Sequence, residues 1–214
     1  MKQNNAAAVI LPANDVQTLP LMEEYYTIQG EGFHSGLAAH FVRLAGCDVG
    51  CVWCDVKESW DASKHPHFSI EALVNRTRKY NAKTVVITGG EPLMYNLDAL
   101  CALYHQFEIQ TFVETSGAYP VSGSWDWICV SPKKFKAPLS DALQKANELK
   151  VIVYHSSDFN WAEEHAATVG KDCQLYLQPE WSRFKKVLPE IIAYVKRNPQ
   201  WKISLQTHKF MEIP

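Results

Sequence analysis

From Tyr25 onward the chain alternates short runs of β-branched and aromatic residues with amphipathic stretches, and no other feature constrains its fold as much. Such alternation is the pattern of repeated βα units around a mainly parallel sheet. Strands are expected at 25–29, 40–44, 84–88, 110–114, 127–130, 149–154, 173–177 and 202–206. The clearest helix spans 182–197, where Phe184, Val187, Leu188, Ile191, Ile192 and Val195 make one apolar stripe and Ser182 is the expected N-cap. A second covers 69–80 with Ser69 as cap, and a third 97–107. Thinner stripes place helices at 139–146 and 159–168.

The fold class expected is α/β, an incomplete β/α barrel whose functional residues collect on loops leaving the C-terminal ends of strands. A chain of 214 residues suits one such domain, over 23–214. Residues 1–22, with Pro12 and Pro20 and no sustained periodicity, read as an irregular arm.

A formal net charge of −2 provides no global positive field for nucleic acid or anionic lipid, and the pairs Lys133–Lys134 and Lys185–Lys186 read first as solvated faces. The apolar run at Ala6–Leu11 is too short for a signal peptide, and nothing is long enough to cross a bilayer, so a soluble, cytoplasmic protein is expected. Six cysteines in such a chain read as reduced thiols.

Cys47, Cys51 and Cys54 stand within eight residues on a loop after the second strand. Spaced by three and then two residues, their thiolates can converge on one cofactor, and Gly46 and Gly50 allow the backbone to wrap it. Three ligands to a four-iron cluster leave one iron open for substrate or cosubstrate. A structural zinc completed by His34 or His40 is the alternative, although zinc modules ordinarily use two separated ligand pairs. The isolated Cys101, Cys129 and Cys173 read as core residues.

The triplet, with Trp53 before its last cysteine, resembles the hallmark of the radical S-adenosylmethionine (SAM) superfamily. Thr88-Gly89-Gly90-Glu91-Pro92 resembles that superfamily's strand-end motif for the amino group of SAM. Further segments narrow the likeness: Tyr26–Gly32, Cys54-Asp55, Ser131-Pro132-Lys133, Gln178-Pro179 and Gln206-Thr207-His208-Lys209 before Pro214. Together, over 25–214, they resemble the 7-carboxy-7-deazaguanine synthases.

That resemblance implies a partial barrel of the radical SAM type, a 4Fe-4S cluster on Cys47, Cys51 and Cys54, and SAM cleaved to methionine and a 5′-deoxyadenosyl radical. It implies conversion of 6-carboxytetrahydropterin to 7-carboxy-7-deazaguanine with loss of ammonia, on the way to queuosine. Ile28, Gln29, Gly30, Arg43, Thr88 and Pro214 would meet the substrate, Arg43 at its carboxylate. SAM would be held by Trp53, Asp55, Gly90, Glu91, Ser131, Pro132, Lys133, Gln178, Pro179, Glu180 and Trp181, with Glu91 accepting from its ammonium. A flavodoxin or ferredoxin would donate electrons, and a homodimer is implied. Two other functions stay open on the sequence, a radical SAM enzyme activating a partner protein and a zinc-binding interaction module.

One position departs from the resemblance. Where an oxygen-bearing residue would help bind Mg2+, the chain has Val56, so that either water fills the vacancy or magnesium is weakly bound or absent. Lys57, the next residue, is the candidate to bring positive charge to the substrate carboxylate instead.

Overall fold

The computed structural model describes residues 17–214. Its strands form one sheet of nine in the order β3-β1-β2-β4-β5-β6-β7-β8-β9. These are β1 (Thr18–Ile28), β2 (Ala38–Leu44), β3 (His67–Ser69), β4 (Thr84–Gly89), β5 (Gln110–Thr115), β6 (Trp127–Val130), β7 (Glu148–Val153), β8 (Gln174–Pro179) and β9 (Trp201–Ile203). The helices are α1 (Ile70–Lys79), α2 (Asp98–Gln106), α3 (Ser140–Lys145), α4 (Asp158–Ala166), α5 (Phe184–Arg197) and α6 (Thr207–Met211). Strands β2 and β4 through β9 run parallel, while β1 pairs antiparallel with both β2 and β3. The sheet does not close on itself, so the expected incomplete barrel is what forms.

The two-residue period of a strand decides which residues meet the helices and which meet the interior. On β7, Leu149, Val151 and Val153 join the helix-packed core, whereas Lys150 and Ile152 turn inward to a cavity. The same parity sends Val42 and Leu44, Val85 and Ile87, Val113 and Leu177 to the core. Its inward counterparts are Phe41, Arg43, Thr88, Glu114 and Gln178. Below that polar layer, Ala39, Phe41, Val86 and Phe112 form a small apolar plug, the kind of layering that fills barrel interiors.

Where no strand pairing closes the barrel, the β1–β2 loop reaches across instead. Phe33 N–H donates to Glu148 Oε2 at 3.1 Å, Gly32 N–H to Ser204 Oγ at 2.9 Å, and Thr207 N–H to Gly30 O at 2.9 Å.

Three expectations need correction. Residues 18–22 of the expected arm are strand: Leu19 and Leu21 are buried, Thr18–Pro20 pair with β3, and a register shift follows Leu21. Pro20 is tolerated beside that irregularity because a bulge relaxes the demand for a ladder N–H. Residues 1–16 of the arm lie outside the described residues. Ser182 does not cap α5; it stands in a short 3-10 turn, and Glu180 accepts from the N–H groups of Ser182 and Arg183. Of the α5 stripe, only Val187 and Ile191 are buried, and Ile192 is exposed. Ser69 caps α1 as expected, accepting from Ala72 N–H at 3.2 Å. The short β3 and α6 were not expected, being too brief to show a period.

Candidate active site

The loop after β2 and the loop after β4 are stitched together by main-chain bonds. Gly90 N–H donates to Leu44 O at 3.0 Å and Glu91 N–H to Gly46 O at 2.9 Å, while Gly46 and Cys47 donate to Ser59 O and Trp60 O. The approach is tight enough to require glycine. A Cβ on Gly90 would lie 2.4 Å from Gly46 O and 2.7 Å from Cys47 Cβ, and Gly46 itself holds φ +100°. Asp48, on the same loop, accepts from Tyr119 Oη at 2.6 Å and pairs with Lys136 at 2.8 Å, fastening the cysteines to the loops after β5 and β6.

All three thiols of the loop face one cavity of about 710 Å³. They are free, and burial raises both the Cys47 and Cys51 thiols, the latter to about 11. A cluster held there would displace those protons on binding. The donor chemistry fits a cluster: three cysteines on a wrapped loop over an open space, with Trp53 and Lys133 on the same wall. It does not fit the zinc alternative. His40 is buried against Thr77 Oγ1 at 2.9 Å, and His34 packs on Phe112 and Trp127. Among the described residues no three His, Cys, Asp or Glu side chains gather closely enough to hold a single ion.

Across the cavity lies the polar layer. Arg43 and Thr88 are register partners on β2 and β4. Arg43 donates to Glu23 Oε1 at 2.6 Å and to Tyr25 Oη at 3.0 Å, so its fork is already oriented. Gln29 Nε2 donates to Glu114 Oε1 at 3.0 Å. Lys150, only 4% exposed, lies 2.5 Å from Glu31 Oε2 and 3.6 Å from Glu114 Oε2. Burial alone would raise the Glu31 carboxyl, but the Lys150 charge and the donors Lys150 and Gln206 bring it to about 2. The Lys150 ammonium is held well above its ordinary value, because the neighbouring carboxylates outweigh its burial.

The cavity gathers nearly every residue the sequence singled out: Ile28, Gln29, Gly30, Arg43, Cys47, Cys51, Trp53, Cys54, Asp55, Val56, Thr88, Gly90, Ser131, Lys133, Gln178 through Trp181, and Pro214. Three do not line it. Pro132 is buried beside it. Lys57 is directed toward Trp60, 6.0 Å from the ring. Glu91, 1% exposed, spends its carboxylate internally, accepting from Leu93 N–H, Thr115 Oγ1 at 2.6 Å, and Ser116 N–H and Oγ at 2.8 and 2.5 Å. The expected acceptor for an ammonium is thus a clamp between the β4 and β5 loops.

Lys133 is likewise no solvated face. Its Nζ donates to Ser131 O and Oγ, both at 2.6 Å, under the Trp53 ring, and burial lowers it. Cys101 and Cys129 are buried and Cys173 half-buried, as core thiols should be.

Lys150 was missed on the sequence, and Glu31 and Gln206, though they stand in the segments that carry the resemblance, were given no role there. The signal for Lys150 was present: a lone lysine inside the apolar strand Leu149-Lys150-Val151-Ile152-Val153 must be paired if it is buried. Its partners, 119 and 36 residues away, could not be read from spacing.

A family model described as the Radical SAM superfamily matches residues 42–129. The chain is 54% identical over 198 residues to the 7-carboxy-7-deazaguanine synthase of Flavobacterium psychrophilum, covering 92% of this chain and 94% of that one. It is 43% identical to the protein of that name from Synechocystis, over 94% of this chain and 98% of the other. The crystal structure of QueE from Escherichia coli superposes with a TM-score of 0.79 at 33% identity, covering 88% of this chain and 93% of that chain. With that identity extending over nine-tenths of both sequences, the chain belongs to the 7-carboxy-7-deazaguanine synthase family of radical SAM enzymes.

Proposed function

We propose that the chain converts 6-carboxytetrahydropterin to 7-carboxy-7-deazaguanine with loss of ammonia, in queuosine and 7-deazapurine formation. One observation carries the reading: the three cluster thiols and the layer Arg43, Thr88, Glu114 and Lys150 share a single cavity. Its size suits a cosubstrate with one small heterocycle, and ligand pockets of several hundred Å³ are the rule for small molecules.

The cluster and SAM, when bound, supply one-electron chemistry that no side chain can provide. The chain's own groups bind and orient. The planar guanidinium of Arg43 suits the pterin carboxylate. Glu114, turned toward the cavity beside Gln29, accepts from ring N–H or amino groups, and Thr88 adds a hydroxyl at the adjoining strand end. Ile28, Gln29, Gly30 and Pro214 wall the ring, while Trp53, Ser131, Lys133 and the segment Gln178–Trp181 hold SAM.

The test is anaerobic reconstitution followed by reaction with SAM, reductant and 6-carboxytetrahydropterin. A brown protein, methionine release and 7-carboxy-7-deazaguanine with one ammonia are expected. A colourless zinc adduct, or SAM cleavage that yields no deazapurine, would sink the proposal.

The same reading includes a flavodoxin or ferredoxin donor, a homodimer, no nucleic-acid partner and a cytoplasmic location. No helix among the described residues is long and apolar enough to cross a membrane. The continuous sheet from Thr18 to Ile203 supports treating it as one domain.

A further inference from the structure

Of the groups implied by the family resemblance, Mg2+ is the one that the residues at its expected place do not fit. This ion demands near-octahedral oxygen coordination at about 2.0–2.1 Å. Val56 has a hydrocarbon side chain, and its carbonyl is already taken, accepting from Ser59 N–H at 3.1 Å and Ser59 Oγ at 2.7 Å. The adjoining Asp55 carboxylate has a cation beside it: Lys209 Nζ lies 3.6 Å from Asp55 Oδ2.

Lys209 is held in place. Its Nζ donates to Gln206 Oε1 at 3.0 Å and lies 4.8 Å from the Trp181 ring centroid. Gln206 is fixed in turn by donating to Glu31 Oε1 at 2.8 Å, and Thr207 N–H is bonded to Gly30 O. The Lys209 side chain is 23% exposed and lines the cavity together with Asp55, Val56 and Pro214, while Asp55 is 69% exposed. Of the other Lys and Arg side chains on the cavity wall, Lys150 is engaged by Glu31 and Glu114 and Lys133 by Ser131, while Arg43, oriented by Glu23, stands on β2 in the polar layer rather than beside Asp55. Lys57, the candidate on sequence grounds, is not on that wall.

We propose that Lys209, carried on α6, supplies the positive charge that Mg2+ would otherwise bring to the Asp55–Val56 end of the cavity, and that the chain turns over its carboxylated substrate without a divalent metal. The inference rests on the pterin reading above. An ammonium present before the substrate arrives acts on ground-state binding, so its loss shows first in KM.

The experiment uses the reconstituted holoenzyme with SAM, reductant and 6-carboxytetrahydropterin, stripped of divalent ions, with and without added Mg2+. Native turnover is expected to be the same in both. Lys209→Met should lose about tenfold or more in kcat/KM, mostly through KM, as befits a lost charge-assisted contact. Lys209→Arg should recover part of that loss. The double variant Val56→Thr/Lys209→Met, which restores an oxygen and frees Asp55, should become Mg2+-dependent.

Mn2+ provides a readout that needs no turnover. In the presence of SAM and substrate, its EPR spectrum should remain that of the free ion with native protein and become that of a bound ion with the double variant. Bound Mn2+ in the native complex, a native enzyme revived only by Mg2+, or an unchanged KM in Lys209→Met would each overturn the proposal. A native enzyme inactive with and without Mg2+ tells instead against the pterin reaction, while the native Mn2+ spectrum still decides the role of Lys209.

Discussion

Lys150 Nζ on β7 lies 2.5 Å from Glu31 Oε2 on the loop after β1, and this pair ties the first strand to the seventh where no backbone ladder does. Gln206 donates to the other oxygen of Glu31, so α6 is anchored to the same carboxylate. Removing the ammonium leaves two carboxylates in the cavity floor without their cation. Lys150→Met is expected to cost about 3–5 kcal/mol, the usual penalty for breaking a buried ion pair. Urea unfolding of the apo-protein measures it. The charge-balanced Lys150→Met/Glu31→Gln should recover part of the loss, and a single variant as stable as the native chain would show that the pair does not brace the fold.

Gly90→Ala tests the seam between the two motif loops. The added methyl would meet Gly46 O and Cys47 Cβ at 2.4 and 2.7 Å, both on backbone-fixed positions. The cysteine loop must shift, so cluster occupancy and SAM cleavage should both fall by at least about tenfold, given how steeply misplacement of about 1 Å acts on rate. Iron content per chain and methionine release separate the two effects. Unaltered values for both would contradict the close approach.

Two sets of cysteines should behave oppositely. Cys47→Ser, Cys51→Ser or Cys54→Ser should each abolish the stable cluster absorption after anaerobic reconstitution, and Cys47→Ser and Cys54→Ser, at half-buried positions, should leave apo-protein stability within about 1 kcal/mol. Cys101→Ser and Cys129→Ser place a hydroxyl in buried sites, so they should keep the cluster and lower stability by about 1–3 kcal/mol. Iron analysis and urea midpoints on the same samples give the answer.

Glu148 carries a pH dependence. Burial raises its carboxyl above the ordinary 4.5, against the Lys150 charge and the donors Phe33 N–H and Trp127 Nε1. The native state therefore keeps this proton to higher pH than the unfolded chain does. Ionisation costs stability, beginning near the unfolded value and accumulating until pH passes the raised native one. Glu148→Gln removes that cost, so its advantage over the native chain should be larger at pH 8 than at pH 4. Urea midpoints across that range check the sign, and a difference independent of pH would count against it. Glu31 has the opposite sign: its contribution is present above about pH 4.5 and is lost as pH falls toward 2.

Features whose physics is local were legible in the amino-acid order. The spacing of Cys47, Cys51 and Cys54 needs only one loop to set them on one wall of the cavity, and Ser69 needs only three residues to cap α1. These elements suffice for the βα alternation and the cluster loop. Short or irregular pieces escaped, among them β3, α6 and the first residues of β1, because a few residues carry no measurable period and Pro20 argues against a strand until its bulge is seen.

Where the charges end depends on contacts between distant segments. Glu91 and Lys133 both stand in family motifs, yet the carboxylate is buried in a clamp with Thr115 and Ser116 while the ammonium is held by Ser131 on the cavity wall. Lys57 lies two residues from Asp55 and turns away, whereas Lys209, over 150 residues later, stands beside it. A buried or half-buried charge is stable only with a partner, and the partner is chosen by sheet order and loop crossing rather than by distance along the chain.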